Sequence, residues 1–120
     1  MPRRGELDRR AFIFPEQSGW LCGTGSLRVR VKRGINSRAV YHALAYAETV
    51  TWLKNHSVGT TMPNINATIV SNIPISLPEE NRIDEVVESI EELEKSILNA
   101  EQKRITELQL KREMVNRLLE

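Results

Sequence analysis

Hydrophobic positions recur at two different periods in this chain, and the change falls at Pro78. Ahead of it, Leu27, Val29 and Val31 alternate with Arg28, Arg30 and Lys32. A period of two puts three apolar side chains on one face of a strand and three cations on the other. Gly34 ends that strand. The apolar run at residues 11–14, stopped by Pro15, predicts a buried strand, and a polar turn at residues 16–19 follows it. Val40, Leu44, Ala47 and Thr51 form one stripe of a helix over residues 37–54, with Ser37 as its N-cap and His56 and Gly59 at its exit. Asn66 is placed to cap a single helical turn through Val70. Residues 73–77 predict a short strand that Pro74 and Pro78 restrict to an edge.

Behind Pro78 the period becomes helical and persists to Glu120, 42 residues or about 60 Å of helix at 1.5 Å per residue. Ile83, Val86, Val87, Ile90, Leu93 and Ile97 keep steps of three and four, and Ile105, Leu108, Arg112, Val115 and Leu119 resume them. Between Ile97 and Ile105 the step is four twice, through Glu101, which reads as a stutter in a coiled-coil seam. Such a rod is far longer than a 78-residue globule is wide, about 25 Å by the radius-of-gyration rule. The seam Val86, Ile90, Leu93, Ile97, Ile105, Leu108, Val115 and Leu119 therefore predicts a partner helix, from a second copy or from another chain.

Charge sharpens the division into residues 1–78 and 79–120. The net charge of +1 conceals ten Lys/Arg against four Asp/Glu in the first part and seven against twelve in the second. All six aromatics, all six glycines and all five prolines also lie in the first part. The expected architecture is α+β, a small basic globular part followed by one long acidic C-terminal helix. No apolar run approaches the roughly 20 residues of a membrane span, and the start MPRRGELDRR lacks a signal-peptide core, so a cytoplasmic protein is expected.

Catalytic chemistry finds little support in the residues. The one cysteine, Cys22, cannot form an internal disulfide, and beside Trp20 and Leu21 it reads as a small core residue. Two histidines, His42 and His56, offer no zinc-ligand spacing. The GTGS stretch at residues 23–26 precedes a strand rather than opening a helix, which makes it a turn and not a phosphate cradle. Glu91, Glu92 and Glu94 read as a solvated helix face. No catalytic set, metal site or cofactor site is expected. The basic segments are the stronger candidates: Arg3, Arg4, Arg9 and Arg10, with Arg28, Arg30, Lys32 and Arg33, can line a surface for phosphates or meet guanine edges. A solvated sheet face is the alternative. Thr60, Thr61, Asn64 and Asn66 either reach bases and phosphates or bond their own backbone in turns.

The stretch GTTMPNINATIVSNIPISLP, residues 59–78, resembles the end of a target-recognition domain in the DNA specificity subunit of type I restriction-modification enzymes. There a Gly-Thr-Thr-x-Pro-Asn stretch leads into an Asn-Ile-Pro-Ile strand, a proline and an acidic segment that starts the spacer helix, as Pro78 and residues 79–83 do here. The upstream run RRGELDRRAFIFPEQSGWLCGTGSLRVRVKRGINSRAVYHAL is similar to the second half of that domain.

The resemblance implies a non-catalytic subunit whose recognition domains each read one half of a bipartite double-stranded DNA site. It implies antiparallel spacer helices that act as a ruler, and separate modification subunits that methylate adenine. Residues 1–78 would be a partial target-recognition domain and residues 79–120 its spacer helix. Against the family pattern, this chain carries one partial domain and one helix, as a truncated gene, a remnant or one piece of a split subunit would. Since the matched stretch at residues 59–78 reads as framework, DNA contact is assigned to the basic residues on charge placement. A coiled-coil scaffold protein with a merely soluble basic part is the competing reading.

Overall fold

The computed structural model describes residues 1–7, 9–59 and 64–120 and divides them into two compact units, Met1–Ile83 and Asp84–Glu120. In chain order the elements are a 3-10 turn at Pro15–Gln17, helices α1 (Ser37–Ala43), α2 (Ala47–His56) and α3 (Ala67–Ser71), a 3-10 turn at Glu80–Arg82, and helix α4 (Ile83–Leu119). The protein is mostly helical, with a long C-terminal helix.

The α+β expectation is not confirmed. Among the described residues β-pairing is confined to three isolated antiparallel bridges, Pro2 with Ser26, Arg4 with Asn64, and Val58 with Asn64. Residues 1–4 lie between two other segments: Arg3 N–H donates to the Gly25 carbonyl at 2.9 Å, Leu27 N–H to Met1 at 2.7 Å, and Ile65 N–H to Arg3 at 2.8 Å. Pro2 has no N–H to contribute, and Gly5, at φ 82°, turns the chain away after Arg4, so these pairings stay short. Residues 11–14, 27–32 and 73–77, each expected as a strand, run without a ladder. Their period was legible, but a strand also needs a neighbour to accept and donate along its length.

The predicted helix over residues 37–54 is two helices. Asn36, not Ser37, is the N-cap: its Oδ1 accepts from the N–H groups of Arg38 and Ala39 at 2.9 and 3.1 Å. The break falls at Tyr46, whose backbone is extended (φ −61°, ψ 138°) and caps α2. Burial explains it. Val40 and Leu44 are buried on α1 and Thr49 and Leu53 on α2, and the step of five from Leu44 to Thr49 fits no single face of a 3.6-residue helix. Breaking the helix re-phases the chain so that both pairs are buried, while Ala47 and Thr51 of the predicted stripe are exposed. Asn66 does cap its helical turn, accepting from Ile69 N–H at 2.9 Å.

The core of the first unit is Leu7, Leu53 and Ile65, fully buried, with Met1, Leu27, Trp52, Ile69, Val70 and Ile73 packed against it. In the second unit α4 has 37 residues, about 55 Å of helix, and begins four residues later than expected. Glu79 is extended after Pro78, and Arg82 N–H closes on the Glu79 carbonyl at 2.9 Å in a 3-10 turn before α4 starts. Ser89, Ser96 and Thr106 return their hydroxyls to carbonyls one turn back, at 2.9, 2.9 and 3.0 Å, so they ask nothing of a neighbour.

Leu53→Ala empties part of the core and is expected to cost about 2–5 kcal/mol, whereas Leu98→Ala on exposed α4 is expected to stay within about 0.5 kcal/mol. Urea denaturation followed by the fluorescence of Trp52, next to Leu53 in sequence, measures the difference.

Candidate nucleic-acid interface

The first side of the candidate site is the extended segment 10–14, held on α1 by aromatic contacts. Phe12 meets Phe14 and Tyr41 edge-to-face, with ring centroids 5.2 and 5.7 Å apart. Arg10 lies with its guanidinium carbon 4.7 Å from the Tyr41 ring centre, and its Nε donates to the Tyr41 carbonyl at 2.8 Å. That double contact fixes Arg10 in place.

The second side is the segment 27–33. Leu27 and Val31 are half-buried and Val29 is more exposed, while Arg28, Arg30, Lys32 and Arg33 all face solvent. The two-residue alternation in burial is kept at Leu27 and Val31 and lost at Val29. Gly34, at φ 89°, turns the chain toward the Asn36 cap, a conformation that costs glycine nothing and strains other residues.

Both segments line one open cleft of about 690 Å³, together with residues 17–23 and part of α1. Arg10, Arg28, Arg30, Lys32 and Arg33 are thereby brought around a single concavity, and no ion pair among the described residues engages the last four. The other three predicted cations lie outside its lining. Arg9 is paired with Glu6, and Arg3 and Arg4 belong to the backbone pairing with residues 25 and 64–65.

One expectation changes here. Cys22 is exposed rather than a core residue, and its neighbours Trp20 and Leu21 are 67% and 98% exposed on the cleft rim. The cause is local: the 3-10 turn at Pro15–Gln17 and Gly19, at φ 95°, project this loop off the core. Asn66 bonds its own backbone, and Asn64 pairs with Val58 through reciprocal backbone bonds of 2.9 Å. Thr60 and Thr61 lie outside the described residues. His56 stacks on Trp52 at 3.9 Å between centroids and shares a 2.8 Å hydrogen bond with the Trp52 carbonyl, a local helix-end contact. The exposed pair Trp20 and Leu21 is the part of the cleft that sequence reasoning missed. Its signal was the flanking turn residues, which argue against a buried run.

On α4, Val86 and Ile90 are half-buried, and Leu93, Ile97, Ile105, Leu108, Val115 and Leu119 are 43–82% exposed. Leu98, Leu110, Met114 and Leu118 add exposed apolar surface outside the predicted seam. Among the described residues no cluster of His, Cys, Asp and Glu could hold a metal ion, and no helix is long and apolar enough to cross a membrane.

The cleft gathers Arg28, Arg30, Lys32 and Arg33, which no ion pair among the described residues engages, and α4 of the same chain carries an exposed apolar seam. The family follows from comparison with known sequences. The profile of the type I restriction modification DNA specificity domain matches residues 10–110, and the chain belongs to that family. Curated proteins and solved structures yield no match. The family assigns a type I restriction-modification role in DNA specificity, and its specificity domains are generally non-catalytic.

Cys22 is expected to react fully with a thiol reagent in the folded protein, at a rate close to that in denaturant. Slow modification that accelerates on unfolding would mean that the Trp20 loop is covered.

Proposed function

We propose that the chain supplies one DNA-reading element of a type I restriction-modification complex, acting on double-stranded DNA together with modification subunits that perform adenine methylation. The observation that carries this reading is the gathering of Arg28, Arg30, Lys32 and Arg33 at one cleft without carboxylate partners among the described residues. Cations that pair with no described carboxylate are available to phosphates, and each phosphate contact releases condensed counterions. Arg10, held against Tyr41, adds its charge to the same cleft.

In this reading α4 pairs with a second helix through Leu93, Ile97, Ile105, Leu108 and Val115. Its charges favour an antiparallel mate. Residues 83–100 carry six carboxylates and one lysine, and residues 101–119 carry five Lys/Arg and three glutamates. Two copies side by side in parallel would oppose −5 with −5, whereas antiparallel copies oppose −5 with +2. A second copy therefore satisfies the seam, as does another specificity chain of similar charge order. The scaffold reading rests on this same exposed seam and assigns no work to the cleft.

Replacing Arg28, Arg30 and Lys32 together by Gln separates the two. The slope of log K against log salt for duplex DNA is expected to become shallower by about 3, at roughly 0.9 per lost phosphate contact. An unchanged slope in a shift assay, with or without a modification subunit, favours the scaffold. Ile97→Glu with Leu108→Glu is expected to weaken α4 association at least ~10-fold by placing charges in the seam. Sedimentation equilibrium measures it, and the doubly substituted chain should keep its helical circular dichroism.

A further inference from the structure

The segment 28–31 alternates Arg and Val in sequence as a strand does and has no strand pairing among the described residues. No backbone N–H or carbonyl from Arg28 to Val31 is hydrogen bonded to another described residue. Its pairing with the N-terminal segment ends at Leu27. Residues 11–13, on the other side of the same cleft, also have no backbone partner among the described residues. Around these two runs the cleft exposes Ile13, Trp20, Leu21, Val29 and Ile35. Unpaired ladder groups beside uncovered apolar side chains are the two halves of a strand-acceptor site: the backbone supplies affinity and the alternating side chains supply register.

The geometry points to strand capture at this cleft: an extended segment of a different polypeptide, with apolar side chains alternating with acidic ones, adds to residues 28–31. The register follows from the acceptor. On one face the incoming apolar side chains extend the row Leu27, Val29 and Val31 and cover Trp20 and Ile13. On the other its carboxylates stand across from Arg28, Arg30 and Lys32, an opposite-charge cross-strand arrangement. A second copy of this chain is disfavoured by the same rule, because edge-to-edge self-pairing would set those three cations against an identical set. This site goes beyond DNA reading. It concerns backbone pairing, so its test requires no DNA.

The test uses the full-length chain, isotope-labelled for nuclear magnetic resonance. Three seven-residue peptides serve as probes: one alternating Val and Glu, the same peptide N-methylated at every internal amide, and one alternating Val and Lys. The Val/Glu peptide is expected to slow hydrogen exchange of amides within residues 28–31. The N-methylated peptide, with the same charge but no ladder, is expected to bind at least ~10-fold more weakly, and so is the Val/Lys peptide. Val29→Pro, at an exposed position with no bond to lose in the free protein, is expected to abolish the protection. Equal binding of the methylated and unmethylated Val/Glu peptides would reduce the effect to charge attraction and overturn the proposal. Protection of residues 28–31 by self-association without peptide would overturn it as well.

Discussion

Residues 1–4 hold the first unit together, because theirs is the stretch of backbone that bonds to both the 25–27 segment and the 64–65 segment. The next turn, opened by Gly5, delivers Leu7 into the centre, where it meets Leu53 from α2 and Ile65 from just ahead of α3. Three side chains from distant parts of the sequence thus share one small core. Each helix of this unit is ten residues or shorter, too short to be stable in water alone, so its order depends on that packing.

The small core has a direct consequence for the surface. With few residues fully buried, the Trp20 loop and the segment 27–33 are supported along one side only, and their other side opens on the cleft. Apolar surface and cations are therefore neighbours rather than segregated. Such a mixture combines a long-range field with apolar contact area. The second unit repeats the theme in another form, since α4 satisfies its own backbone and its hydroxyls while leaving its aliphatic seam exposed.

Part of this was readable from the order of residues. The long helix, the acidic and basic division, the turn at residues 23–26 and the Asn66 cap depend on neighbours within a few positions, where propensity and capping dominate. The family was readable too, from residues 59–78 and the run before them, and the match over residues 10–110 bears it out. The strands were not. Alternation at residues 27–32 reports which face is apolar, not whether a second strand stands alongside. The split of residues 37–54 was equally hidden, because Ala45 and Tyr46 carry no breaker signal and the break serves burial of Leu44 and Thr49 on separate faces.

By itself the sequence determined what depends on short range: that a long helix follows Pro78, that Asn66 caps a helical turn, how charge is divided at Pro78, and to which family the chain belongs. Only the tertiary structure decided which cations share a surface. It drew Arg10, eighteen residues away along the chain, to the cleft of Arg28, Arg30, Lys32 and Arg33, and left Arg3, Arg4 and Arg9 elsewhere. The physical reason is that side-chain period assigns a residue to a face, whereas grouping separate faces takes long-range contacts, here the Phe12 and Tyr41 rings, whose partners cannot be named from local order.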